Sequence, residues 1–315
     1  MKRLLLLLGC VAAFSSCLKN DKFERDMTST GYIIYSSAAK QTLVALDPFN
    51  VAFRLNILIA EGDGDFNAAP GEIRQRMFST GTVISYDETR ANYKLVFNSG
   101  SISGDYPRKG TITISTNGYG SLAEAGARWD IYLSDSYAMF SDSKAIYTSS
   151  STYSVTNSGD NTWQVSIQQL VSVLPDAGIV EGSDGSEIKF ESDWTASYTI
   201  KQEKGTQKLT DVRNSIFTIS TSVLNGKTMY LPADQLNVST PKPFQFNPAC
   251  SASAPVGNGL MTISLANDDE MMSNYTTAEV MGGDQLNTCF PKIKISYGGY
   301  TTCLLYTSDA ADDLI

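Results

Sequence analysis

Between Lys109 and Ile200 the chain places apolar residues at every second position, in short segments separated by Asn, Gly, Asp and Ser. Trp129, Ile131 and Leu133 share one side of the first such segment. Trp163, Val165 and Ile167 share one side of the next, and Trp194, Ala196, Tyr198 and Ile200 one side of the third. A period of two is the repeat of an extended strand, and an apolar–polar alternation specifies a sheet with one dry face and one wet face. The three tryptophans are therefore assigned to the core, where burying each ring contributes roughly 2 to 3 kcal/mol.

The pattern extends in both directions. Thr82–Tyr86 and Tyr93–Asn98 read as a hairpin over Asp87–Arg90, and Gly110–Thr116 as a strand ending at an Asn117–Gly118 turn. Ser183–Asp184–Gly185 reads as a turn into Ile188 and Phe190. Asn225–Gly226, set between Phe217 and Ile219 on one side and Met229 and Leu231 on the other, carries the strongest two-residue hairpin signal in the chain. Thr240–Pro241–Lys242–Pro243 interrupts the alternation and marks the best place for a subdomain seam, beyond which Met261, Ile263 and Leu265, then Ile293, Ile295 and Tyr297, alternate again.

Only Ser36–Ala60 reads as helical, with Leu43, Leu46, Val51, Ala52, Leu55 and Ile59 recurring at helical spacing. Proline lacks the N–H that a helix interior needs, so Asp47–Pro48 is expected to split this region, with Asp47 as the N-cap of the second half. The expected fold is mainly β: an antiparallel meander, rolled sheet or sandwich with a short N-terminal helical element. Residues 36–240 hold that element and the β domain, and 241–302 form a C-terminal β segment of the same or a second subdomain.

The chain opens with Met1–Lys2–Arg3, an apolar run Leu4–Leu8, and small residues leading to Cys17. A basic start before an apolar run too short to span a bilayer reads as an export signal over residues 1–17. It resembles the bacterial lipoprotein signal, in which the cysteine after a small residue is acylated. Cys17 leaves an apolar region of the usual length before it, whereas Cys10 fits the local pattern but follows too few apolar residues. Residues 18–35, opened by the charged run Leu18–Asp26, are expected to be a solvated tether between the lipid and the folded body. At the other end, residues 303–315 resemble a translated sequencing adapter and are set apart from the structural reading.

The chain contains no histidine, which excludes Ser-His-Asp and Cys-His catalysis, histidine zinc sites and histidine general bases together. A formal charge of −9 and a pI near 4.6 lack the basic balance of a nucleic-acid binder. Carboxylate-pair chemistry and oxygen-ligand cation sites survive both exclusions. Asp63, Asp65 and Asn67 supply oxygens at alternate positions, as a calcium loop does at its start. Ala68 then stands where that loop needs glycine and Arg74 where it needs its bidentate glutamate, so an acidic solvated turn is the better account and no metal is assigned. Asn267–Asp268–Asp269–Glu270 reads as a hairpin tip. Cys250 and Cys289 are expected to pair in an oxidising compartment, closing a loop worth on the order of 4 kcal/mol; the alternative is two buried thiols.

Taken together, Lys109–Ile114, Ala125–Ile131 and Thr156–Val165 resemble a group of uncharacterised Bacteroidota envelope lipoproteins. These share the succession of strands around a Gly-rich strand pair and the late pair of cysteines, here Cys250 and Cys289. The resemblance covers Gly81 to Tyr300 and implies a mainly β protein of the cell envelope; it brings no catalytic residues or cofactor. The expected role is a lipid-anchored, non-catalytic binding or structural component of the outer membrane, with the membrane as partner through Cys17 and a glycan or envelope protein as further partner. A surface glycan-binding or nutrient-capture lipoprotein is the second reading. It needs rings on the wet face, where alternation places Tyr132 but none of the tryptophans. A carboxylate-dependent hydrolase is the third.

Overall fold

A computed structural model describes residues 22–78, 81–87, 91–101, 107–141, 144–175, 179–181, 187–229, 231–247, 255–257, 259–265, 276–281, 292–297 and 300–305. Helix α1 runs from Lys22 to Glu61, forty residues without interruption. It starts inside the segment expected to be tether, and Gly31, Ile34 and Tyr35 are buried, so the folded body begins well before residue 36. From Ile34 to Gly62 no residue is exposed. A helix on a protein surface keeps a polar stripe in water; here the one stripe that is not buried, Ser36, Ala39, Leu43, Leu46, Asn50 and Arg54, is still half-buried, and the other sides are covered.

What surrounds it is a single antiparallel sheet. Its first strands are β1 (Thr82–Tyr86), β2 (Asn92–Ser101), β3 (Arg108–Ser115), β4 (Arg128–Leu133), β5 (Ala138–Ser141), β6 (Lys144–Gly159) and β7 (Thr162–Val173). After the small separate hairpin β8 (Ile179–Glu181) and β9 (Glu187–Lys189) come β10 (Glu191–Gln202), β11 (Phe217–Thr228), β12 (Leu231–Lys242), β13 (Phe244–Phe246) and β14 (Pro255–Gly257). The last are β15 (Gly259–Leu265), β16 (Thr276–Met281), β17 (Lys292–Tyr297) and β18 (Tyr300–Leu305). The path runs β1-β2-β3-β4-β6-β7-β10-β11-β12-β15-β16-β17-β18, with β5 bridging β3 and β6, β13 pairing with β11, and β14 pairing with β13. Helix α1 packs against β7, β11, β12 and β15 to β18, its side chains reach β3 and β10, and a β6 side chain reaches its backbone. Contacts with strands that far apart along the path require the sheet to roll around the helix.

The alternation read from the sequence sets the two faces. Trp129, Trp163 and Trp194 point inward and are fully buried, with Ile131, Val165, Ile167, Ala196, Tyr198 and Ile200 beside them. Trp163 meets the helix through rings: Phe53 packs edge-on to it at 5.2 Å between centroids and to Phe217 at 5.7 Å, while Trp129 stacks on Tyr93 of β2. Outward stand Gln164, Ser166 and Gln168 of β7, and Thr195, Ser197, Thr199 and Lys201 of β10. A transmembrane barrel turns its apolar side chains out to lipid. Here the apolar side faces in and the outer face of these central strands is built for water.

Irregularities in the alternation are accommodated locally. In β7 both Gln168 and Gln169 are exposed, Gln169 has φ of 51°, and the bulge returns Leu170 to the core. Asn225–Gly226 is not the expected hairpin turn. Strand β11 continues through it to Thr228, with Asn225 opposite Asn237 and Gly226 opposite Leu236. The glycine is required because a Cβ there would lie 1.9 Å from the Asp193 carbonyl oxygen of β10. Asn117–Gly118, by contrast, does turn the chain after β3, with φ of 53° and 86°.

Nor does Pro241 divide the fold: β12 runs through it and pairs with β15, the register shifting between Ser239 and Lys242 where proline has no N–H to give. The C-terminal β segment thus continues the same sheet. Residues 303–305, set apart in the sequence, extend β18 and pair with β17, Cys303 opposite Lys294; residues 306–315 lie outside the described residues.

Candidate functional site

The densest polar chemistry in the described residues lies where sequence logic expects α1 to break. Pro48 has no N–H and its ring crowds the carbonyl one turn back, which normally kinks or ends a helix. Here α1 continues because β6 lends it a hydroxyl. The Phe49 amide donates to Tyr153 Oη at 3.1 Å, and that hydroxyl donates to the Ala45 carbonyl at 2.9 Å. Phe49 and Ala45 are the ordinary partners of a helical i to i−4 bond, so Tyr153 stands between two groups that would otherwise bond each other. Insertion of a side chain into the ladder keeps both buried backbone groups satisfied.

One residue earlier, Asp47 is buried and is not an N-cap. Arg108 of β3, itself buried, donates through Nε to Oδ1 at 3.1 Å and to Oδ2 at 3.2 Å, and through Nη2 to Oδ1. Tyr137 adds its hydroxyl to Oδ2. Two charges taken out of water carry a large desolvation cost, which close multiple hydrogen bonds offset.

The geometry traces to a glycine. A Cβ on Gly110, whose φ is +89°, would lie 2.5 Å from the Ser136 carbonyl oxygen, so only glycine lets the turn at Ser134–Tyr137 lie against β3 and aim Tyr137 at α1. Burial, and after it the charge of Asp47, pushes the Tyr137 hydroxyl well above the usual tyrosine range, and burial does the same for Tyr153. Both remain protonated donors at any physiological pH. The cluster holds helix and sheet in one register, and it is sealed from solvent.

Two loops close the sheet over the C-terminal end of α1. Asn56 Oδ1 accepts from the Ser121 hydroxyl at 2.7 Å and the Leu122 amide at 2.8 Å. The Leu122 carbonyl in turn accepts Trp163 Nε1 at 3.0 Å and Asn157 Nδ2 at 2.6 Å. Glu61 Oε1 accepts the Leu209 amide at 2.8 Å, capping the short helix α3 (Leu209–Arg213; α2 is Gly71–Met77).

Of the residues singled out in the sequence, Cys17, Cys250, Cys289 and Asn267–Glu270 lie outside the described residues. Asp65 accepts the Asn67 amide at 2.9 Å and caps the 3-10 turn Phe66–Ala68, while Asp63 faces Lys208 at 3.6 Å. These oxygens cap and neutralise the local turn. Among the described residues no group of three or more His, Cys, Asp or Glu is placed to hold a metal ion. Tyr132 is on the wet face as expected, 59% exposed. Arg108, Tyr137 and Tyr153 were not singled out by sequence; the available signal was Asp47 itself, an acid beside a proline in a run of otherwise apolar helical positions. Thr30–Glu61 has the length and composition of a membrane-crossing or signal helix and is compatible with either, yet most of it is buried inside the sheet. Comparison with family models, curated proteins and solved structures found no match to this chain.

Proposed function

We propose that this chain is a lipid-anchored protein of the cell envelope, held in the outer membrane through Cys17 and acting without catalysis as a binding or structural component. The observation that carries the reading is the order of Lys2–Arg3, the apolar run from Leu4, and Cys17, followed directly by a folded body whose outer sheet face is polar. The signal supplies export and a site for acylation, and several acyl chains at about 0.8 kcal/mol per buried methylene hold a protein to a membrane durably. The body meets its surroundings through the wet face and the loops, since α1 fills the space that the sheet encloses. The resemblance to Bacteroidota envelope lipoproteins points the same way. Mass spectrometry of the mature protein tests the reading: it is supported if the chain begins at an acylated Cys17 and Cys17→Ala moves it to the soluble fraction. An unmodified mature N-terminus elsewhere contradicts it.

A second reading, capture of glycans, draws on Tyr132, the large aromatic most exposed among the described residues, on the outer face of β4. Polysaccharide pull-downs with Tyr132→Ala as control distinguish it, because glycan capture through this ring is lost with the ring.

A further inference from the structure

We propose that the mouth at which α1 enters the sheet is the face this protein turns toward a lipid surface, held there by a short leash from Cys17. The inference rests on the lipid-anchor reading and adds an orientation to it.

Leash length decides the matter. A flexible tether over residues 18–35 would have an r.m.s. reach of roughly 23 Å and would let the body tumble at the membrane. Helix α1 already begins at Lys22, leaving only Leu18, Lys19, Asn20 and Asp21 between it and Cys17. On the same basis five Cα steps have an r.m.s. reach of roughly 12 Å, and at most about 18 Å fully extended. From Lys22 the helix rises about 14 Å to Gly31, the first residue shown in the core.

At Gly31 the helix lies directly on β17. A Cβ there would fall 2.7 Å from Tyr297 Cβ, and Tyr297 pairs with Tyr300 at the close of the β17–β18 hairpin. At the mouth helix and sheet are therefore in close backbone-level contact. Ile33, two residues on, is 47% exposed, a large apolar side chain at the rim nearest the anchor. The opposite end lies about 40 Å away along the helix axis. It is closed by the Asn56–Leu122 and Glu61–Leu209 contacts and carries exposed Glu124, Lys208 and Asp63. Without Lys2 and Arg3 the mature chain carries 22 basic and 33 acidic residues, and its net charge of −11 is repelled by an anionic lipid surface, which opposes broad contact and favours contact limited to the rim at Ile33. The far loops then face away from the membrane, where a partner would meet them.

The test uses the acylated full chain in vesicles of phosphatidylethanolamine and phosphatidylglycerol doped with a headgroup-nitroxide lipid. A fluorophore is carried by one non-canonical amino acid at position 33 or at Ala125 in the far loop. The expected result is loss of fluorescence at position 33 with emission at 125 unchanged, and disappearance of that difference when a long Gly/Ser stretch is inserted between Asp21 and Lys22. Equal quenching at the two positions, or quenching at 125 alone, in a protein whose Cys17 is acylated overturns the orientation and leaves the anchor standing. A mature protein without acyl chains on Cys17 overturns both.

Discussion

The hydroxyl of Tyr153 accepts the amide of Phe49 at 3.1 Å, completing inside the protein a helical turn that Pro48 would otherwise leave open. It also donates to Ala45, so one strand residue satisfies a donor and an acceptor of a helix more than a hundred positions away in sequence. The helix is thus continuous on condition that the sheet is in place. That dependence makes the N-terminal element part of the β fold's core.

Tyr153→Phe keeps the ring and removes the hydroxyl, stranding the Phe49 amide and the Ala45 carbonyl in a dry interior. Each unsatisfied buried group costs about 1 to 3 kcal/mol, and relaxation toward a direct Phe49–Ala45 bond offsets part of the sum. A loss of about 1 to 3 kcal/mol is expected by urea unfolding followed through tryptophan fluorescence.

Removing either member of the Asp47–Arg108 pair leaves the other charge buried and uncompensated. Asp47→Leu and Arg108→Met are each expected to cost about 3 to 5 kcal/mol, while the double variant costs much less than their sum. A double-mutant cycle on unfolding free energies checks this. Additive losses would mean that the two residues act separately.

Gly226→Ala places a methyl 1.9 Å from the Asp193 carbonyl oxygen at φ of +135°, and is expected to destabilise by at least the roughly 1 to 3 kcal/mol of backbone strain. Gly118 has positive φ but open space around its Cβ position. Gly118→Asn is therefore expected to stay within about 1 kcal/mol, since Asn tolerates the left-handed region. Thermal melts of the two variants side by side separate close packing from mere turn geometry.

Tyr137, Tyr153 and Tyr198 all have hydroxyl pKa values raised by burial. Below about pH 10 folded and unfolded states alike keep these protons, so the three give no slope there. Above it the unfolded chain releases protons that the native state retains, the native state binds more, and stability falls as pH rises. The melting temperature is expected to decline between about pH 10 and 12, and to decline less in Tyr198→Phe. Asp211, which accepts from the Thr206 amide and hydroxyl, is shifted down and acts on the acid side. Its contribution is present above the ordinary aspartate range and is lost as pH falls through its lowered value.

Period-two alternation made the strands legible because it is local: Trp129, Trp163 and Trp194 need only their neighbours in sequence to declare a face. The same locality misled at Asn225–Gly226 and at Pro48. An Asn-Gly pair is a turn signal when nothing crowds it, yet the approach of Asp193 from β10 needs glycine within a continuous strand. Proline ends a helix when its turn is left to water, yet Tyr153 replaces the lost bond. Both reversals come from partners distant in sequence, and so does the Asp47–Arg108–Tyr137 cluster. The tether expected over residues 18–35 failed for a related reason: Thr30 to Tyr35 are glycine, β-branched and aromatic residues of low helix propensity that do not announce a helix alone, and it is β17 that buries Gly31.

Hydrogen exchange of the amides from Val44 to Ile59 tests the central claim that α1 is the core around which the sheet is rolled. If it is, these amides exchange only through global unfolding, at the same free energy as those of Trp163–Ile167 and Trp194–Ile200. Exchange of the helix on a much faster timescale, with the strands still protected, would place it outside the cooperative core and contradict the account.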